Sequence, residues 1–164
     1  WSAYAYNKGI ADRRYPATGM LYLGGSNALE GFLSEMEWRV MPKLSVSFAN
    51  SINRWTPDID TFVLSSFRLY LYEQGPYQAY VGWESGSQRT ADYKDEYLGF
   101  HKRKLDLSGF IVGAKCQLPQ VPLYLTFSWG AGKRTGYSEP LLGQEGYDIN
   151  DTYNRWTGGL SLAL

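Results

Sequence analysis

The stretch Leu44–Arg54, LSVSFANSINR, decides the fold. Leu44, Val46, Phe48 and Ile52 fall on one face, and Ser45, Ser47, Ala49, Ser51 and Asn53 on the other. Side chains that alternate with a period of two belong to a β-strand, and two unlike faces mean two unlike surroundings. One face is large and apolar. The other is small and hydroxylated, and in similar stretches elsewhere it is charged. A water-soluble sandwich or barrel turns its bulky face inward to a core. Here the bulky face carries enough aromatic volume to coat a cylinder from outside. The alternation therefore predicts an all-β fold, an antiparallel up-and-down transmembrane β-barrel that is apolar toward lipid and polar within.

The same pattern recurs on both sides of this stretch. Trp156, Gly158, Leu160, Leu162 and Leu164 alternate with Thr157, Gly159, Ser161 and Ala163. Leu123, Leu125, Phe127 and Trp129 oppose Tyr124, Thr126, Ser128 and Gly130. Phe110, Val112 and Ala114 oppose Ile111, Gly113 and Lys115, and Ala79, Val81 and Trp83 oppose Tyr80, Gly82 and Glu84. Val63, Phe67, Leu69 and Leu71 oppose Ser66, Arg68 and Tyr70, while Phe32, Met36, Trp38 and Val40 oppose Leu33, Glu35, Glu37 and Arg39. Seven strands are countable from Phe32 onward, and an even number requires an eighth. The alternation in Trp1–Asn7 favours that segment, with Gly9–Thr18 as an outer loop and a long second strand bent at its glycines. The alternative first strand is Gly19–Gly25, with Ser26–Glu30 as a tight outer loop and the first eighteen residues as an arm.

Connection lengths alternate as well. Met41–Lys43, Glu73–Tyr77 and Leu118–Pro122 are short and contain proline. Between them come the longer polar stretches Trp55–Asp60, Arg89–Lys104 and Arg134–Arg155. Short turns at one end and long loops at the other are the periplasmic and extracellular ends of an outer-membrane barrel.

The chain of 164 residues makes a single domain, 1–164, long enough for eight strands. Zero formal charge gives no electrostatic case for nucleic acid. Fourteen Tyr and six Trp suit two aromatic girdles at membrane–water boundaries. Mean hydropathy is −0.37 and no apolar run approaches the length of a spanning helix, which excludes a helical membrane protein. The single Cys116 forbids an internal disulfide and falls on the apolar phase, as a small hydrophobe. The chain opens at Trp1 without a recognisable leader, so export to an outer membrane calls for one to have been removed.

Over essentially its whole length the chain resembles the small eight-stranded bacterial outer-membrane barrels, the class of the OmpA membrane domain, OmpX, OmpW and the lipid A deacylase PagL. The resemblance lies in pattern, not in a family-specific motif, and the chain ends in Leu164 where such barrels commonly end in Phe or Trp. It implies a location in the bacterial outer membrane and a lumen filled by a charged network.

The inward phase supplies candidates for that network: Glu35, Glu37 and Glu84 against Arg39, Arg68 and Lys115. Isolated charges in a narrow barrel are prohibitive, whereas a matched and hydrogen-bonded set is tolerable. The expectation is a plug. Enzymes of the PagL type carry a His-x-Ser motif on a late strand. The corresponding stretch here, Phe127-Ser128-Trp129-Gly130, has no base, and the one histidine is His101. A serine without a base has no means of activation, so catalysis is not expected. His101, Lys102, Arg103 and Lys104 form a basic run near the outer rim, suited to lipopolysaccharide phosphates. Asp148-Ile149-Asn150-Asp151 has oxygen ligands but no complete Ca²⁺ loop, so no metal or cofactor is expected.

The function expected is a non-enzymatic outer-membrane barrel serving adhesion, envelope integrity or a complex with a protein partner, with outer-membrane lipid and lipopolysaccharide as surroundings. The alternatives are a narrow channel or a carrier of small apolar molecules, and then a lipid A- or phospholipid-modifying enzyme.

Overall fold

A computed structural model describes residues 19–27, 31–52, 61–95, 99–140 and 145–164. The strands are β1 (Met20–Ser26), β2 (Gly31–Met41), β3 (Leu44–Ile52), β4 (Thr61–Gln74), β5 (Tyr77–Asp95), β6 (Gly99–Gln117), β7 (Leu123–Pro140) and β8 (Tyr147–Ala163). Each pairs antiparallel with the next, and β8 returns to β1, so the eight close into an up-and-down barrel.

The strand that pairs with both β2 and β8 is Met20–Ser26, the alternative Gly19–Gly25 to within one residue, and Trp1–Asn7 lies outside the described residues. Leu21 and Leu23 face outward and Tyr22 is buried, so seven residues carry the required alternation. Glycines allow the closure. Gly24 and Gly25 lie opposite Gly159 and Gly158, and a Cβ on Gly159 would stand 2.5 Å from the Gly24 Cα.

Register fixes the barrel's geometry. From Leu23 the ladder passes through Ser34, Asn50, Val63, Ser87, Asp106 and Thr135 to Asn150. Leu23 itself pairs with Leu160, ten residues along the same strand. A stagger of ten over eight strands tilts them by about 40° and leaves an interior that side chains can fill.

At one end the strands are joined by residues 42–43, 75–76 and 118–122. Gly75 takes a φ of 59°, the left-handed conformation that such a tight turn needs. At the other end, Arg89–Lys104 and Arg134–Arg155 contain much more strand than the loops expected of them. Arg89 pairs with Lys104, and Arg134 with Asp151, so the β5–β8 hairpins rise as a tall wall. Both faces of that wall are partly polar. The ladder continues there while the hydrophobic alternation that reveals a strand fades.

The outer surface confirms the phase read from sequence. Leu69, Phe67, Trp83, Val81, Phe110, Phe127, Leu125, Trp156 and Leu160 are all exposed on it. Along β8 the apolar run ends above Trp156 at Asn154, and along β7 above Ala131 at Lys133. The belt is about 20–25 Å tall at ordinary strand rise and this tilt, the height of a hydrocarbon layer in outer-membrane barrels. Its upper part carries an aromatic ribbon: Phe110–Trp129, Trp129–Trp156 and Phe127–Trp156 centroids lie 5.1, 5.9 and 5.4 Å apart. Asn50, polar within the belt, accepts a hydrogen bond at its Oδ1 from the hydroxyl of its cross-strand partner Ser34.

Candidate functional site

The lumen is layered, and it is less uniformly polar than the alternation suggests. Tyr70, Tyr80 and Ile111 form one apolar cluster, and Leu33, Ala49, Phe62, Leu64 and Leu107 with Tyr22 and Tyr153 form another. Many tyrosines expected in the girdles are therefore core residues. Charges are sandwiched among these layers.

The lower charge cluster is centred on Glu37. Its Oε1 accepts hydrogen bonds from Ser45 Oγ at 2.6 Å and the Tyr70 hydroxyl at 2.5 Å. Its Oε2 accepts from Arg68 Nη1 at 2.9 Å and Lys115 Nζ at 2.5 Å. Four donors saturate the carboxylate. Arg68 also grips Glu35 with both terminal nitrogens, each at 2.6 Å, and donates its Nε to Ser66 at 3.1 Å. Such a two-pronged pair is among the strongest that a guanidinium makes. Lys115 lies 5.4 Å and 5.8 Å from the ring centroids of Tyr70 and Tyr80, close enough for cation–π attraction. Period-2 placement on β2, β4 and β6 points Glu35, Glu37, Arg68 and Lys115 to one level of the lumen, where two acids meet two bases.

Glu84 and Arg39 lie apart from this cluster. Glu84 on β5 pairs with Arg155 on β8 and accepts from the Tyr153 hydroxyl at 3.0 Å. Arg39 sits at the short-turn end, bonded to Glu73 at 2.6 Å and to the Pro42 carbonyl at 2.7 Å, with its guanidinium 3.6 Å over Tyr70. Sequence reasoning overlooked Arg155 and Glu73. Arg155 stands one residue before Trp156, on the inward phase, so extending the last strand by one residue would have found it.

The basic run is split by its strand. It belongs to β6, where neighbours point to opposite faces. Lys102 and Lys104 are exposed outside, whereas Arg103 is inward and donates to the Tyr147 hydroxyl at 2.7 Å. The four residues do not form one surface, and the His101 side chain lies outside the described set. The physical reason is that a strand, and not a loop, carries them.

Above the Glu84–Arg155 pair is a cavity of about 250 Å³, walled by Phe62, Leu64 and Leu107 with Gln88, Arg134, Tyr153 and Arg155. Ser128 shares a hydrogen bond with the Thr157 hydroxyl, and Ser45, the serine that donates to Glu37, has no exposed surface. Among the described residues no group of three or more His, Cys, Asp or Glu side chains could hold a metal.

The topology defines the class: an eight-stranded, antiparallel, up-and-down β-barrel. No family model matches the sequence, and no curated protein matches it. Among solved structures, the crystal structure of Neisserial surface protein A (NspA) is similar at 15% identity, over 89% of this chain and 93% of that chain, with a TM-score of 0.46.

Proposed function

We propose that the chain is an integral barrel of a bacterial outer membrane whose lumen is sealed, so that it acts as an anchor and not as a conduit. Its tall β5–β8 wall would stand outside the membrane and serve adhesion, envelope integrity or attachment of a protein partner. The exposed apolar belt supports the location, since a continuous apolar surface of this size is unfavourable in water. The observation that carries the sealed lumen is the Glu37 cluster, whose carboxylate has every acceptor position filled by donors from three other strands. Outer-leaflet lipid, including lipopolysaccharide, is the surrounding expected for the exposed Lys104. The proposal includes no catalytic role: Ser128, the late-strand serine, bonds the Thr157 hydroxyl, which cannot act as its base.

Planar-bilayer recording tests this reading. Inserted wild-type protein should give no large, steady currents, and such currents would reject the plug. The mouth cavity, with Phe62, Leu64 and Leu107 beside Arg134 and Arg155, favours a second reading, a binder of small molecules that have both apolar and polar parts. Leu107→Trp should then abolish uptake of an amphiphilic fluorophore by the folded protein and leave its folding intact.

A further inference from the structure

We propose that Arg89, Lys104 and Lys133 form a site on the outer wall for the headgroup of a phosphorylated glycolipid. The proposal rests on the membrane placement above and deepens it. All three side chains are exposed and point outward from β5, β6 and β7. Arg89 and Lys104 are direct cross-strand partners. Like charges in that relation repel, so the wall carries an electrostatic cost that a bound anion would relieve. None of the three makes a salt bridge among the described residues. The exposed Asp106 lies between them, next to Lys104 on the same face and diagonal to Arg89 and Lys133, and offsets one of the three charges, leaving a net excess of two positive charges.

Lys102 has the acidic Glu139 as its direct cross-strand neighbour, and Arg134 is bonded to Asp151. They drop out of the site, which separates it from the basic run seen in the sequence.

Height selects the ligand. Allowing for strand stagger, Lys133 stands about 5 Å above the apolar belt and the Arg89–Lys104 pair about 10 Å above it. A glycerophospholipid headgroup layer is only about 5–7 Å deep, so its single phosphate meets Lys133 but not the upper pair at the same time. A lipid whose sugar headgroup carries two phosphates spans both levels. Arg89 suits one phosphate through two parallel hydrogen bonds, and the lysines add point charges.

The test is native mass spectrometry of the folded protein released from neutral detergent, titrated separately with bisphosphorylated lipid A, phosphatidylglycerol and inorganic phosphate. Lipid A should bind wild type about tenfold more tightly than the triple variant Arg89→Gln/Lys104→Gln/Lys133→Gln, the worth of a few screened charge contacts. Lys102→Gln should bind as wild type does. Phosphatidylglycerol, which meets Lys133 alone, should lose only about twofold in the triple variant, and inorganic phosphate should not displace lipid A. Equal lipid A binding by wild type and triple variant overturns the site. So does an equal response to phosphatidylglycerol, which would make it a single-phosphate contact, or displacement by phosphate, which would make it a free-anion site. Circular dichroism and gel mobility of the same samples report folding in detergent. Failure there would contradict the membrane reading and not the choice of headgroup.

Discussion

Replacing Glu37 by glutamine removes one charge from the saturated cluster and changes almost no volume. Lys115, whose side chain is 1% exposed, loses the carboxylate it touches at 2.5 Å. Arg68 keeps Glu35. The lumen is left with an uncompensated buried ammonium, a change that costs about 3–5 kcal/mol. For a chain of this size, with a urea slope of about 2–3 kcal/mol per molar, the unfolding midpoint should fall by about 1–2 M. Lys115→Met is expected to be milder, about 1.5–3 kcal/mol, because Glu37 retains Arg68, Ser45 and Tyr70. The double variant Glu37→Gln/Lys115→Met should recover much of the loss, giving a coupling of at least about 2 kcal/mol. Reversible urea titration in lipid vesicles, followed by tryptophan fluorescence, measures all four corners of the cycle. Costs that add to within about 0.5 kcal/mol would refute the reasoning, since they would mean that the two side chains do not depend on one another.

Phe127→Arg should destabilise the vesicle-inserted barrel by about 2–4 kcal/mol, whereas Thr135→Arg, on the same face of β7 but above the belt, should cost less than about 1 kcal/mol in the same titration. Gly130→Ala should cost about 1–3 kcal/mol, because a Cβ there would lie 3.0 Å from the Glu84 carboxyl carbon and push it off Arg155. In the β5–β8 wall above the apolar belt, the Arg134 hydrogen bond holds the Asp151 carboxyl below its usual range. Its contribution to the β7–β8 hairpin is therefore present above the ordinary carboxylate range and lost as pH falls through the lowered value. Limited proteolysis across that range should show cutting of the hairpin rising severalfold only in strong acid, as suits an exposed pair, and Arg134→Gln should remove the pH step.

Most of the barrel was legible because its two faces meet different surroundings. From Phe32 to Leu164 the phase of each strand is set by which residues are bulky and apolar, and Ile111 is buried as the alternation required. Legibility failed where that contrast fades. The upper halves of β5–β8 have polar residues on both sides, so they read as loops, and Arg103 was placed beside Lys102 when the ladder turns it away. The alternation favours Trp1–Asn7 over Gly19–Gly25 because the inward half of Met20–Ser26 is partly glycine, whose close approach to β8 is a matter of packing and not of hydropathy. For the lumen, strand phase identified Glu35, Glu37, Arg68, Glu84 and Lys115 as inward. Which charge meets which depends on the stagger, and that cannot be read from one strand at a time. Arg39 thus went to the rim with Glu73, and Arg155 took its place opposite Glu84.

The claim on which the rest depends is that the apolar face meets lipid. Spin labels at Phe127→Cys and Thr135→Cys, each in a Cys116→Ala background and folded into vesicles, test it most directly. The label at 127 should be accessible to dissolved oxygen and shielded from a water-soluble nickel chelate, and the label at 135 should show the reverse. A label at 127 that the chelate reaches as readily as it reaches 135 would contradict the account.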